Sequence, residues 1–179
     1  YLRAQGVSAV RGPASPSSNH IYGLLVEGFD SIPAIMMPYN YPYYAGLIEK
    51  AGFAKAKDLL AFKRSRDDQF SPRFLKVCER CEKRGGITLR RIDLSHIEKE
   101  AEIIREIYNK AWAQNWGFVP LDTQEMQDIV RELKPIVRLE GTCVLEENGV
   151  PAGFYICIPN MNRVLQILRG SLKNPWRVL

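Results

Sequence analysis

Residues 36–44, MMPYNYPYY, hold four tyrosines, two prolines and two methionines. A tyrosine ring offers an apolar face, and its hydroxyl both donates and accepts hydrogen bonds. Such a run could stack nucleobases, line a pocket for an apolar or aromatic ligand, or pack one corner of an ordinary core. Platforms for single-stranded nucleic acid interleave aromatics with Lys or Arg. This run has neither, so the pocket and the packed corner remain. Tyr39, Asn40, Tyr43 and Tyr44 are the pocket candidates. In the other reading, proline-flanked tyrosines pack a loop onto a sheet and keep their hydroxyls wet.

The remaining residues with chemical potential are sparser. Cys78 and Cys81 form a CxxC inside a charged helical stretch. A zinc site needs a second Cys/His pair at matching spacing, and none appears, so no metal is expected. Cys143 and Cys157 lie in strand-like runs, where a buried thiol is ordinary. His20 and His96 have no visible triad partners. Arg90 and Arg91 read as a solvated strand end. Glu146 and Glu147 read as residues that keep a hairpin turn wet.

Composition narrows the classes. The chain has 179 residues and a formal net charge of +5, with 46% hydrophobic and 25% charged residues. That is the mix of a globular protein with a useful core. Lys and Arg are interleaved with Asp and Glu and no long like-charge block occurs, so nucleic acid is not expected as a partner. No apolar run approaches the ~18 residues of a membrane span, and no membrane partner is expected. The first residues, YLRAQGVSAVRGP, lack a secretory leader pattern. Four scattered cysteines fit a reducing cytoplasm. The absent initiator Met and the abrupt NPWRVL ending suggest a piece of a longer polypeptide.

These candidates must be positioned by two halves and a charged connector. In the first half, YLRAQG reads as a last helical turn stopped by Gly6. VSAVRGP reads as a strand, HIYGLLVEGF as a short helix, and PAIMMPYN as extended, since residues before Pro avoid the helical region. PYYAGLIEKAGF reads as a helix from Pro42 to its stop at Gly52. AKAKDLLAFKR reads as a strand. A charged helix with Phe74, Val77 and Cys81 on one face ends at Gly85-Gly86.

The second half opens with the strand ITLRRI. Ser95 and Glu98 are spaced as a capping box for a helix burying Ile97, Ala101, Ile104, Tyr108 and Ala111. Asp122 and Glu125 form a second box, with Leu121 and Met126 placed as a hydrophobic staple. Asn148-Gly149 makes TCVLEENGVPAGFYICIP a hairpin. NMNRVLQILRGSL closes as an amphipathic helix stopped by Gly170. The fold class is therefore α/β (α+β), with largely antiparallel pairing. Three segments are expected: 1–66, a linking helix over 67–86, and 87–179.

With these elements in order, the chain resembles the acyl-CoA N-acyltransferase (GNAT) superfamily. CVLEENGVPAGFYICIP is similar to that fold's early hairpin, and PYYAGLIEKAGFAKAKDLLAFK is similar to its late helix and following strand. The order is inverted, back half first. A tandem protein explains it: residues 1–66 would be the C-terminal part of one GNAT-like unit and 87–179 the N-terminal part of the next. The resemblance covers nearly the whole chain.

The resemblance implies a mixed, largely antiparallel sheet flanked by helices, in two half-domains. It implies acyl transfer from acetyl-CoA or another acyl-CoA to a small-molecule amine, without metal, with a homo-oligomer as an option. Many members place a proton-donating Tyr four residues before the Gly of the late helix's GF. That position here is Ile48, and Tyr44, one turn earlier, or Tyr43 would have to substitute. Trp116 and Phe118, in NWGFVP, fall in the loop that shapes the acceptor site. Tyr39 and Asn40 would line the substrate pocket. The superfamily's RxxGxG/A turn, which cradles pyrophosphate on helix N–H groups, is absent. RGPASP has prolines where donors are needed, and KRGGIT leads into a strand. The chain by itself is expected to be an inactive fragment of such an enzyme. The alternative is a non-catalytic acyltransferase-like unit that binds a ligand or partner.

Overall fold

The computed structural model describes residues 1–168, which divide into two units. One comprises Tyr1–Leu60 and the chain from Asn160; the other is Ala61–Pro159. The class is α+β, with two small antiparallel sheets flanked by helices. Among the described residues no helix is long and apolar enough to cross a membrane.

In the first unit, a 3-10 turn at Leu2–Gln5 ends on Gly6 in the left-handed region. Strands β1 (Ala14–Ser15) and β2 (Ile21–Tyr22) pair antiparallel over two residues each. Helix α1 (Tyr43–Lys50) starts at Pro42, whose fixed φ suits a first turn. It stops before Gly52, at φ +89°. Helix α5 (Asn162–Leu168) is tied to the loop by Asn162 Nδ2, which donates to the Pro33 carbonyl at 2.8 Å. The helix stop expected at Gly170 lies outside the described residues.

Three expectations in this unit fail. VSAVRGP and AKAKDLLAFKR are not strands. A strand needs a ladder of N–H and C=O partners. In the first run the Pro13 carbonyl accepts from the Gly23 N–H at 2.9 Å, but the strand pairing begins only at Ala14. In the second run Leu60 and Phe62 are exposed. HIYGLLVEGF is not a helix. Gly23 and Gly28 take positive φ, and the Leu25 main chain is held by Asn40 rather than by helical neighbours.

In the second unit, helix α2 (Pro72–Arg84) is capped by Ser71, whose hydroxyl accepts from the Phe74 N–H. Strands β3 (Ile87–Arg91), β4 (Cys143–Glu147) and β5 (Val150–Tyr155) form an antiparallel sheet with β4 central. Arg90 pairs with Val144, and Val144 with Phe154. The hairpin turn has Asn148 at φ +52° and Gly149 at φ +78°. Two successive left-handed residues match the twist of a two-residue hairpin.

Helices α3 (Ile97–Trp112) and α4 (Thr123–Leu133) pack against each other, and α3 against β5. Ala101, Ile104, Leu121 and Met126 form the buried cluster, joined by Ile92, Tyr108, Ile129, Val130 and Phe154. The expected inner faces of both helices are largely present, although Ala111 is exposed. The Asp122/Glu125 capping box is formed at α4. The box expected at Ser95 is not. Asp93, two residues earlier, accepts from both the Ser95 N–H and hydroxyl, and a 3-10 turn (Leu94–His96) intervenes before α3.

Candidate functional site

The tyrosine run sits in the first unit on a loop held from inside. Asn40 is buried while its neighbours Tyr39 and Tyr41 are exposed. Its Oδ1 accepts from the Leu25 N–H at 2.7 Å, and its Nδ2 donates to the Leu25 and Tyr41 carbonyls at 3.1 and 3.0 Å. Both Nδ2 hydrogens are thus committed to main chain. Asn40, a candidate for touching substrate, fixes the loop, with prolines on both sides at 38 and 42.

The four rings form one cluster. Tyr41 and Tyr43 stack at 5.7 Å between centroids, with planes 7° apart. Tyr43 and Tyr44 meet at 4.9 Å, and Tyr39 and Tyr44 each tilt against Tyr41 at 6.3 and 6.4 Å. These are ordinary separations for touching aromatic rings. All four tyrosines are exposed, whereas Ile48 is half-buried. The Tyr43 pKa is raised, first by desolvation, then by the neighbouring Tyr44 charge and the hydrogen bond with it. The shift keeps the Tyr43 phenol protonated at neutral pH and makes it a weaker acid than an ordinary tyrosine.

The second unit holds the other candidates. Phe118 is half-buried and tilts against Tyr108 at 6.0 Å, and Tyr108 stacks on Trp112 at 5.8 Å. Burial, and then the charge of Glu125, raise the Tyr108 pKa. Trp116 lies in the same loop and is exposed. A cleft of ≈ 40 Å³ between α3 and α4, lined by Ala101, Thr123 and Met126 among others, has room for little more than water.

Sequence reasoning missed an ionic junction in this unit. Arg90 is not a solvated strand end. Its Nη1 donates to Glu100 Oε1 at 2.7 Å and its Nε to Glu146 Oε1 at 2.6 Å, joining β3, α3 and β4. These bonds, Glu100's first, raise the guanidinium pKa. Glu146 is therefore more than a wet turn residue. Glu147 meets Arg84 at 3.5 Å. Arg90 stands opposite the buried Val144 in the sheet, a register that the spacing within one strand does not announce. Cys78 is half-buried and Cys81 exposed. Among the described residues no group of three or more His, Cys, Asp or Glu could hold a metal. His96 Nδ1 lies 2.8 Å from Asp93 Oδ2, on the surface.

Comparison with known proteins adds what geometry does not. The sequence is 39% identical over 173 residues to Protein YghO of Escherichia coli. It is 36% identical over 176 residues to Bacterial ceramide synthase of Caulobacter vibrioides. The chain is similar to both proteins along nearly all of its own length. Each alignment takes in 96% of this chain but only 44% of the relative. The chain thus spans less than half the length of the curated relatives it matches. No family model matches the sequence, and no solved structure matches it.

Proposed function

We propose that the chain is part of an N-acyltransferase that joins an acyl group to the amine of a long-chain amino alcohol. The observation that carries this reading is the 36% identity to Bacterial ceramide synthase over 96% of the chain. A ceramide is the amide of a fatty acid and a long-chain amino alcohol. The GNAT-like character of the sequence supports the same chemistry, with an acyl-CoA as donor and no metal. The amine nitrogen attacks the thioester carbonyl, the C–S bond breaks, and the departing thiolate takes a proton. Tyr43 or Tyr44 supplies it, the proton released by the amine nitrogen passes to water, and the phenoxide is reprotonated from water. Tyr39, in the same ring cluster, lines the substrate side.

A second reading has its own observation. Ile48 occupies the position where the superfamily keeps its proton donor, and the Gly-rich phosphate turn is absent from residues 1–179. A non-catalytic ligand-binding unit fits both facts. The full-length natural protein, given palmitoyl-CoA with and without a long-chain amino alcohol, separates the two. Amine-dependent release of free CoA thiol is expected of the enzyme. Acyl-CoA binding without thiol release would support the binding unit.

A further inference from the structure

We draw no further inference here: the strongest candidate, the side-chain cluster of Arg90, Glu100 and Glu146 where β3, α3 and β4 meet, leaves the buried Glu100 Oε2 without a hydrogen-bond partner among the described residues, and nothing in the structure shows what that oxygen meets.

Discussion

Asn40 holds the main chain of Leu25 at both of its polar groups: the Leu25 N–H donates to Oδ1 at 2.7 Å and the Leu25 carbonyl accepts from Nδ2 at 3.1 Å. One side chain thus does the work of a neighbouring strand. Asn109 repeats the device in the second unit, accepting the Leu121 N–H at 2.8 Å and donating to the Leu121 carbonyl at 2.9 Å. The first clamp sets the tyrosine loop before α1; the second fixes the chain entering α4. Removing the Asn40 amide leaves the Leu25 N–H and carbonyl without this partner. Removing that of Asn109 leaves the Leu121 N–H without one, while its carbonyl keeps Arg105 Nη1 at 3.2 Å. Either loss costs ~1–3 kcal/mol. Asn40→Ala and Asn109→Ala should each lower stability by about this much in urea unfolding. Asn40→Asp should not rescue the first, since it keeps the acceptor but loses both donors. A change in either alanine variant below a few tenths of a kcal/mol, the usual size for a surface substitution, would refute the clamp.

Arg90 and Glu100 supply the second prediction. Glu100 is 5% exposed, and its Oε2 is buried without a hydrogen-bond partner among the described residues. Its carboxylate therefore depends on Arg90. Arg90→Met strands it and should cost ~3 kcal/mol, the lower end of what breaking a buried pair costs, because Arg90 itself is partly exposed. Arg90→Met with Glu100→Leu should recover the part of that loss due to Glu100, while Glu146, more exposed than Glu100, still loses its bond to Arg90. Chemical denaturation of both variants checks this. A double variant as unstable as Arg90→Met would show that the junction supplies more than mutual charge compensation.

These junctions also mark where the sequence was legible and where it was not. Local signals were sufficient for α1, α4 and the β4–β5 hairpin: Pro42 and Gly52, the Asp122/Glu125 box, and Asn148-Gly149 act within a few residues of themselves. Long-range partners were not legible. Asn40 finds Leu25, and Arg90 finds Glu146, 56 positions away in sequence; nothing in the spacing announces either. The strands expected at 7–13 and 54–64 had suitable residues but are not part of either sheet, and strand formation is decided by the neighbour. At Ser95 the local rule failed because Asp93 competes for the same N–H. The tyrosine cluster was legible as a cluster, but Asn40's inward role was not.

Asp93 gives a pH signature. Its carboxyl pKa falls from an ordinary 3.8 to about 2, chiefly through the Ser95 hydroxyl, then His96 and the Ser95 N–H. A folded pKa below the unfolded one means that the group stabilises the fold above about pH 4, and that this contribution is lost as pH falls toward 2. Carboxyl NMR titration should place the Asp93 midpoint near 2. Ser95→Ala should move it upward, because the dominant donor is gone. An unshifted midpoint in the wild type would refute the Asp93–Ser95 geometry.

The tyrosine assignment is tested by paired substitutions in the full-length natural protein. If Tyr43 protonates the thiolate, Tyr43→Phe lowers kcat on the order of 100-fold with KM little changed. Tyr44→Phe then has a smaller effect, exerted through its contact with Tyr43. The reverse ranking would give the role to Tyr44. Equal activity in both variants would remove the cluster from proton transfer.

The most direct measurement is mass spectrometry of the product. The full-length natural protein is incubated with palmitoyl-CoA and a 15N-labelled long-chain amino alcohol. The account predicts a new species carrying the palmitoyl group on the labelled nitrogen, formed in step with free CoA. Recovery of unmodified amine, or of palmitoyl ester on the alcohol oxygen, would contradict it.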